Sequence, residues 1–347
     1  MKNIILLLNK ERSFHTSSSL KESAMKYKFF IPIIFPFIIN AQQSKQEIPR
    51  DTSYTVYSTY EKEIKHYPFI KIVTPEKSPE AVVGRDVIYT SYKGRDMHLD
   101  LFLPSDKDKA PFPGVILIHG GGWKSGDKSM GHSMATNLAA NNYIAVTVEY
   151  RLSPEAKYPA AIYDLRAAVR WIRANASVYN IDTTKIAVLG CSAGGTLAAL
   201  LGTTNRNEKF EGDGENKNYS SNIQAIVDID GILDFTHPAE SGKDDDPMKP
   251  SAGKLWFGYS YKEKPEIWKE ASPVNYVNEK TVPVIFINSS LERFHAGRDE
   301  MIEKLKSFNI YYEVLTIPDT PHSFWLFHPW FEKTMKYVLD FLDKIFK

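Results

Sequence analysis

Ser192 lies in a sequence context that exposes a hydroxyl group for nucleophilic chemistry. It is the central residue of Gly190–Gly194 (GCSAG), which follows the apolar run 185–189 and precedes the apolar run 196–201. The pattern G-x-S-x-G between a strand and a helix forms a sharp turn that lifts the serine hydroxyl above the sheet edge. Small residues at a strand-to-helix turn also give this pentapeptide by chance, but here both flanking patterns are present. We therefore predict that Ser192 is a nucleophile.

A glycine run at 119–123 (HGGGW) directly follows the apolar run 115–118. A serine that attacks an ester generates an oxyanion, and backbone N–H groups of residues without side chains can converge on it. We predict that Gly121 and Gly122 supply such donors, together with Ala193, the residue after the serine. A phosphate cradle is the alternative, but no Gly-Lys-Ser/Thr follows, and the glycines do not fit G-x-G-x-x-G with an acidic ribose partner.

These motifs, together with residues 148–155 (VEYRLSPE) and 158–164 (YPAAIYD), resemble those of the α/β-hydrolase superfamily. More narrowly, they are similar to the HGGG-bearing esterases, which include hormone-sensitive-lipase-like enzymes and bacterial acetyl-xylan and feruloyl esterases. The resemblance runs from about Val83 to the C-terminus. It implies a serine esterase in which the nucleophile, the acid and the histidine follow one another along the chain.

Four histidines follow the nucleophile, namely His237, His295, His322 and His328. The general base of this fold is expected on a loop after the last strand, and residues 310–317 alternate well enough to be that strand. The loop that follows carries His322, which we predict to be the base. His237 precedes the position of the acid, and His328 lies near the final helix, so both are interpreted as structural.

The acid departs from the pattern that the resemblance implies. An aspartate is expected soon after the strand 283–287, but the chain instead continues with residues 288–300 (NSSLERFHAGRDE). Glu292 occupies the position of the family's aspartate, and glutamate can orient a histidine. We predict Glu292 as the acid and Asp299 as the alternative, since an aspartate in the first turn of a helix also complements the helix dipole. Asp319 is too close to His322, in the same loop, to be the carboxylate that orients it.

The alternation of strand and helix patterns predicts an α/β-hydrolase fold. An antiparallel hairpin, formed by residues 86–92 and 97–103, opens the sheet before the parallel strands begin. Further strands and helices then alternate towards the C-terminus, which indicates a mostly parallel central sheet with helices on both faces.

The N-terminus divides into an extension with a predicted signal peptide, residues 1–41, and a polar segment, residues 42–80, before the catalytic domain at residues 81–347. A short basic run begins at Met25, and it is followed by an apolar run with Ala41 as a plausible cleavage point. We therefore expect translation to start at Met25 and the protein to be secreted or periplasmic. Within the polar segment, residues 54–57 are expected either to form an edge strand or to pack on the catalytic domain.

Composition agrees with a single large catalytic domain. The 347 residues include 43% hydrophobic residues, enough to bury one large core, and 43 basic residues balance 42 acidic ones. Without a long basic block, nucleic acid is not an expected partner, and no stable membrane insertion is expected. Three carboxylates at 244–246 are interpreted as a solvated loop, and no zinc or EF-hand spacing is present. We predict no metal and no cofactor.

Aromatic residues suggest the substrate class. Trp123, Trp256 and Trp325 are predicted to bind substrate, because partly exposed aromatic faces suit sugar rings, although large aromatics are also typical of cores. Together with the resemblance, they favour acetyl, methyl or feruloyl esters of plant polysaccharide or oligosaccharide. A general small-acyl carboxylesterase, an exopeptidase of the same fold and a non-catalytic carbohydrate-binding protein remain as alternatives.

Overall fold

A twisted, mostly parallel sheet forms the centre of the molecule. The computed structural model describes residues 48, 50–75, 82–106, 111–242 and 248–347. The predicted signal peptide and the three carboxylates at 244–246 lie outside these residues. In chain order the strands are β1 (Lys71–Ile72), β2 (Val82–Tyr92), β3 (Arg95–Phe102), β4 (Phe112–Ile118), β5 (Ile144–Val148), β6 (Ile181–Cys191), β7 (Ala225–Ile229), β8 (Val284–Asn288), β9 (Tyr312–Thr316) and β10 (Phe327–His328).

Within the described residues, eight of these strands form the main sheet in the order β2-β3-β5-β4-β6-β7-β8-β9. The pairs β2–β3 and β3–β5 are antiparallel, and every pair from β5–β4 to β8–β9 is parallel. The predicted opening hairpin and the parallel strands after it are therefore confirmed. Since parallel strands all end at the same edge, the loops after β4, β6, β7, β8 and β9 come together there.

Helices cover both faces of the sheet, so the central strands are apolar throughout rather than alternating. Every residue of β4, β5, β7 and β8 is buried. In chain order the helices are α1 (Val56–Glu63), α2 (His132–Ala140), α3 (Ala160–Ala174), α4 (Ala176–Tyr179), α5 (Ala193–Thr203), α6 (Pro238–Ser241), α7 (Ala252–Phe257), α8 (Pro265–Glu270), α9 (Arg298–Ser307) and α10 (Trp330–Phe346).

The candidate edge strand at residues 54–57 is wrong, because α1 begins there. Thr55 caps the helix: its Oγ1 accepts a hydrogen bond from the Ser58 N–H (3.0 Å), and Ser58 Oγ accepts one from the Thr55 N–H (2.9 Å). This reciprocal pair satisfies two backbone donors at the helix start. Tyr54 therefore lies just before a capped helix and Tyr57 lies within its first turn, and neither belongs to a strand.

The helices of the described part of the chain include none that is long and apolar enough to cross a membrane.

Candidate active site

The turn that carries Ser192 is the strained connection that the sequence predicted. β6 ends at Cys191 and α5 begins at Ala193, and Ser192 between them has φ 55° and ψ −120°. The chain is so close to itself here that a Cβ atom on Gly190 would lie 1.9 Å from the carbonyl oxygen of Gly194. Positive φ is unfavourable for a residue with a side chain, and such strain is typical of functional turns.

His322 meets Ser192 at the carboxyl edge of the sheet. Its Nε2 atom lies 2.7 Å from the Ser192 Oγ atom, although 130 residues separate the two in the chain. The loop after β9 carries His322, and 24% of its side chain is exposed. The structure thus brings the predicted nucleophile and base into hydrogen-bond contact, with the imidazole still accessible to a substrate.

Asp230 is the carboxylate that contacts this histidine. Its Oδ2 atom lies 2.9 Å from the Nδ1 atom of His322. The other oxygen accepts a hydrogen bond from the Ser289 N–H (2.8 Å), and the Asp230 N–H donates to the carbonyl of Ile287 (3.1 Å). The side chain is fully buried. These contacts fix the carboxylate so that it orients the imidazole.

The prediction of Glu292, with Asp299 as the alternative, is therefore contradicted by the geometry. Glu292 begins a short 3-10 turn after β8 and is exposed. Asp299 lies in the first turn of α9, where it accepts a hydrogen bond from Arg298 Nε (2.9 Å), and 73% of its side chain is exposed. Neither residue hydrogen-bonds His322 within the described part of the chain, because Asp230 occupies the position next to Nδ1.

The sequence carries a signal for Asp230, but the acid was expected after the strand 283–287 and not after the preceding strand. β7 is the neighbour of β8 in the sheet, so a residue just after β7 reaches the same edge as one just after β8. Asp230 directly follows the apolar run that ends at Ile229, has φ 54° and precedes Gly231. An acid followed by glycine at the end of a buried parallel strand is the pattern that identifies it.

The predicted oxyanion donors lie beside Ser192. Gly121 (φ 119°) and Gly122 (φ 58°) adopt backbone conformations that favour glycine, and a Cβ on Gly121 would lie 2.1 Å from the Ser125 carbonyl oxygen. The N–H groups of Gly121, Gly122 and Ala193 donate to no other residue in the ranges that the structure describes. Ala193 is also the first residue of α5, and a helix N-terminus favours negative charge.

A pocket of about 260 Å³ opens onto these groups. Its lining contains Ser192, His322 and the predicted donors, together with aromatic and cationic residues. The lining residues are Ser53, Tyr54, Gly121, Gly122, Trp123, Lys124, Ser125, Ser192, Ala193, Asp230, Ile232, Ala252, Arg293, Phe294 and His322. A larger cavity of about 460 Å³ lies elsewhere, along α10, and contains none of these residues.

Of the three tryptophans predicted to bind substrate, only Trp123 lines the pocket. Trp256 is fully buried and stacks on Trp123, with ring centroids 4.6 Å apart and planes 5° apart. Trp325 is 4% exposed and meets His322 edge-on at 5.2 Å. Trp123 is itself only 3% exposed, so none of the three presents the partly exposed face that was predicted. Trp256 and Trp325 are also absent from the pocket lining, and the prediction is wrong for them.

Sequence reasoning also missed Phe294, whose ring lies on the imidazole of His322. The ring centroids are 3.5 Å apart and the planes are 3° apart. Arg293, its neighbour, also lines the pocket and is held by a two-pronged ion pair with the buried Glu240. The turn that was predicted to supply the acid thus contributes an aromatic wall instead.

Burial controls the protonation of the site. It lowers the pKa of His322, and the hydrogen bond and negative charge of Asp230 oppose that shift. Burial also raises the pKa of Asp228 to about 8, and the nearby charge of Asp230 adds to the rise. Cys191, beside the serine, is fully enclosed, and burial raises its thiol pKa, so the thiol stays protonated. A partly buried, neutral imidazole next to a hydroxyl is suited to accept a proton.

No cluster of three metal-ligating side chains occurs in the part of the chain that was placed. A partly exposed serine and histidine, joined in series to a buried aspartate and lying beside unpaired backbone donors, can form and break an acyl bond.

Residues 99–311, more than half of the chain, match the BD-FAE family. This chain belongs to the BD-FAE family. The match includes the glycine run, the Ser192 turn and Asp230, whereas His322 lies beyond its end. The BD-FAE assignment agrees with the fold, and the resemblance to α/β-hydrolase esterases is confirmed.

Individual relatives of this BD-FAE member support the same fold. Esterase LipC of Mycobacterium tuberculosis is 29% identical over 215 residues, which are 60% of this chain and 50% of LipC. A bifunctional GH43-CE of Bacteroides eggerthii is 27% identical with a TM-score of 0.65, over 76% of this chain and 38% of that one. A truncated carbohydrate esterase from gut microbiota is 23% identical with a TM-score of 0.67, over 78% and 99%. The matches span about half the length of the curated relatives.

Proposed function

We propose that this protein hydrolyses carboxylic esters through an acyl-enzyme intermediate, with Ser192 as nucleophile, His322 as general base and Asp230 as the orienting acid. The observation that carries the proposal is the continuous contact Asp230–His322–Ser192, at 2.9 and 2.7 Å, which ends beside the pocket. Relatives of this chain are named esterases, and that supports the same chemistry.

The reaction follows from these positions. Ser192 Oγ forms a bond to the ester carbonyl carbon while its proton passes to His322 Nε2. The resulting oxyanion accepts hydrogen bonds from the N–H groups of Gly121, Gly122 and Ala193, and one such donor is worth roughly 3–4 kcal/mol of barrier. His322 then gives its proton to the leaving alcohol, and the carbonyl re-forms as an acyl-serine. Water, deprotonated by His322, releases the acid by the reverse sequence.

Asp230 contributes by stabilising the imidazolium that exists between these two proton transfers. Its carboxylate holds the Nδ1–H, which keeps Nε2 free to face Ser192. A carboxylate held against His322 also weighs against a non-catalytic carbohydrate-binding protein, the alternative for which a missing acid would have been the best support.

We propose acylated plant polysaccharide or oligosaccharide as the substrate class. The named activity of relatives in the GH43-CE and carbohydrate esterase structures supports this class. The lining of the pocket includes the aromatic residues Tyr54, Trp123 and Phe294 and the cationic residues Lys124 and Arg293. Aromatic rings with nearby polar groups suit a sugar ester. Nucleic acid is not among the proposed partners.

A substrate comparison distinguishes the two remaining ester classes. Release of acetate from acetylated xylan and pectin, of ferulate from feruloylated oligosaccharide and of methanol from methylated pectin is measured beside hydrolysis of p-nitrophenyl acetate. Higher kcat/KM on a carbohydrate ester supports the proposed class. Equal or better turnover of simple aryl esters, with no release from any carbohydrate, makes the protein a general small-acyl carboxylesterase.

A set of variants tests the acid assignment. Asp230→Asn keeps the shape but removes the charge beside Nδ1, so we expect kcat to fall about 10⁴-fold. Glu292→Ala and Asp299→Ala are matched controls that remove exposed carboxylates near the same edge, and we expect both to stay within about twofold of the wild type. A dead Glu292→Ala beside an active Asp230→Asn would make the assignment of Asp230 wrong.

We also propose that the protein is exported through a signal peptide that begins at Met25 and ends at Ala41. The basic run 25–28 followed by the apolar run 29–39 supports this. N-terminal sequencing of the mature protein tests it, and a mature chain that begins upstream of Met25 would refute it.

A further inference from the structure

Residues 50–73, here called the N-terminal strap, touch both loops on which the proposed reaction depends. One end contacts the glycine loop that carries Gly121 and Gly122. There Asp51 pairs with Ser125 in an isolated parallel bridge and forms an ion pair with Lys124 (3.0 Å). The strap is thus tied to the loop that holds the proposed oxyanion donors.

The other end of the strap is tied to the loop that follows His322. β1 pairs with β10, with Lys71 opposite His328 and Ile72 opposite Phe327. The Val73 N–H donates to the carbonyl of Leu326 (3.0 Å). The strap therefore crosses from the glycine loop to the chain just beyond the proposed base.

Two residues make the contact next to the pocket. The Tyr54 N–H donates to Ser125 Oγ (2.9 Å), and Ser125 is fully buried. The Ser125 N–H in turn donates to the Gly121 carbonyl (3.1 Å). A single series of hydrogen bonds thus runs from the strap to the glycine whose N–H faces the oxyanion.

Tyr54 also faces the base loop. Its side chain lines the pocket with Ser192 and His322, and a Cβ on Gly121 would lie 3.2 Å from its ring. Burial raises the pKa of Tyr54 to about 12, so its phenol is neutral at ordinary pH. Because Tyr54 shares the pocket lining with both Gly121 and His322, it lies between the two loops.

We infer that the N-terminal strap sets the distance between the oxyanion donors and the base, with Ser125 and Tyr54 as positioning residues. The inference rests on the proposed esterase function. Loops are held less firmly than strands, and a shift of about 1 Å between reacting groups can lower a rate about 10²-fold. A connection between the two loops keeps the donors where the oxyanion forms before the substrate arrives.

The experiment compares kcat, KM and melting temperature in the full chain, with p-nitrophenyl acetate as substrate. Ser125→Ala removes the acceptor of the Tyr54 N–H, and Tyr54→Ala removes the ring between the loops. We expect kcat to fall tenfold or more in both, with KM within about threefold, since the ground-state pocket keeps most of its wall. Tyr54→Phe keeps the ring and is expected to recover at least a third of the wild-type kcat.

Ser221→Ala is the matched control, because Ser221 is buried and its hydroxyl donates to Glu211 (2.6 Å), far along the chain from both loops. It is expected to lower the melting temperature as Ser125→Ala does, with kcat unchanged. If Ser125→Ala and Tyr54→Ala behave like this control, the strap is only structural and the inference is overturned.

The two proposals fail in different ways. If the wild type hydrolyses p-nitrophenyl acetate and Ser192→Ala does not, the proposed function stands whatever the strap variants do. A folded wild type without any esterase turnover overturns the proposed function and the role of the strap together.

Discussion

The imidazole of His322 is held on four sides. Ser192 and Asp230 bind its two nitrogens, the ring of Phe294 lies parallel to it at 3.5 Å, and Trp325 meets it edge-on at 5.2 Å. An aromatic face attracts a cation, by about 0.5–2 kcal/mol depending on exposure. These contacts therefore hold the ring orientation, and Asp230 and the Phe294 face stabilise the imidazolium that forms during the proposed reaction, against the burial that disfavours it.

The pH dependence of activity follows from the protonation of this ring. Burial lowers the pKa of His322 from its ordinary value of 6.5. Only the neutral imidazole can accept the Ser192 proton, so lowering the pH through this pKa stops the reaction. Because the pKa is lowered, we expect the acid limb of kcat/KM to have its midpoint below pH 6.5. A profile of p-nitrophenyl acetate hydrolysis with the midpoint above pH 7 would contradict this environment.

Asp228 gives a second pH effect, on stability rather than activity. Its Oδ1 atom accepts the Gly231 N–H (2.9 Å), and its Oδ2 atom is buried without a hydrogen-bond partner among the described residues. With a folded pKa of about 8 against an ordinary 3.8, the native state keeps a proton that the unfolded chain loses. Stability from this group is thus greatest at low pH and falls as the pH rises from about 4 to about 8.

The variant Asp228→Asn tests that sign, since an amide imitates the neutral acid at every pH. We expect the free energy of unfolding of the variant, minus that of the wild type, to increase between pH 5 and pH 8, by at most about 1.4 kcal/mol per pH unit. Urea unfolding at several pH values measures it. Asp182→Asn is the control, because side-chain and backbone hydrogen bonds of Thr184 lower the pKa of Asp182. We expect the difference in the free energy of unfolding between Asp182→Asn and the wild type to stay constant from pH 5 to pH 8. A flat difference for Asp228→Asn would show that Asp228 is ionised in the folded protein.

At the scale of elements, the site is the meeting point of the loops after β4, β6, β7 and β9. The strand-turn-helix around Ser192 and the glycine loop after β4 could be predicted, because their glycines and apolar runs are local in sequence. The acid could not be predicted from a local pattern. Because β7 and β8 are neighbours and end at the same edge, the loop after either strand can reach His322. Which of them supplies the carboxylate depends on the tertiary course of the loop after β8.

Close packing of the Ser192 turn against β4 gives a test at this scale. A Cβ on Gly194 would lie 2.1 Å from the Ile118 carbonyl oxygen and 2.8 Å from that of His119. Backbone atoms cannot move aside easily, so we expect Gly194→Ala to lower the free energy of unfolding by about 1–3 kcal/mol and to abolish most activity.

Gly242→Ala is the control for this prediction, since a Cβ there would meet no described atom within 4 Å and its φ of −76° suits alanine. We expect it to change stability by less than about 1 kcal/mol and to leave kcat unchanged. Both variants are measured by chemical unfolding and by initial rates. If Gly194→Ala had the stability and activity of the wild type, the turn and β4 would be further apart than described.

At the scale of the whole molecule, two long polar stretches turn out to be tied to the catalytic domain. Packing of residues 54–57 on the domain was one of two expectations from the sequence, whereas residues 205–221 indicated only a polar loop. The contacts themselves could not be predicted, because they join residues far apart in the chain. Residues 50–75 lie along the site, and the loop 205–221 is held by arginines of α3. Arg166, fully buried, donates to the carbonyls of Ser221, Leu201 and Thr204 at 3.0, 2.9 and 2.8 Å.

Arg166→Met separates stability from chemistry. It leaves buried carbonyls without donors, and we expect it to lower the free energy of unfolding by roughly 2–5 kcal/mol. Leu201 and Thr204 lie at the end of α5 opposite Ser192, about 15 Å away, so kcat of the folded variant should not change. Arg173→Met, on the more exposed side of the same helix, is the control, and we expect it to lower the free energy of unfolding by less than Arg166→Met does. A kcat that falls with Arg166→Met at temperatures well below unfolding would contradict this separation.

The most direct test of the central claim is the mass of the intact protein after treatment with a serine-directed phosphonate. We expect one covalent adduct per chain, located at Ser192 by peptide mapping, and none on Ser192→Ala. We also expect much slower labelling of Asp230→Asn, because the charge that orients His322 is gone. An unlabelled but folded wild type, or an adduct at another serine, would contradict the account.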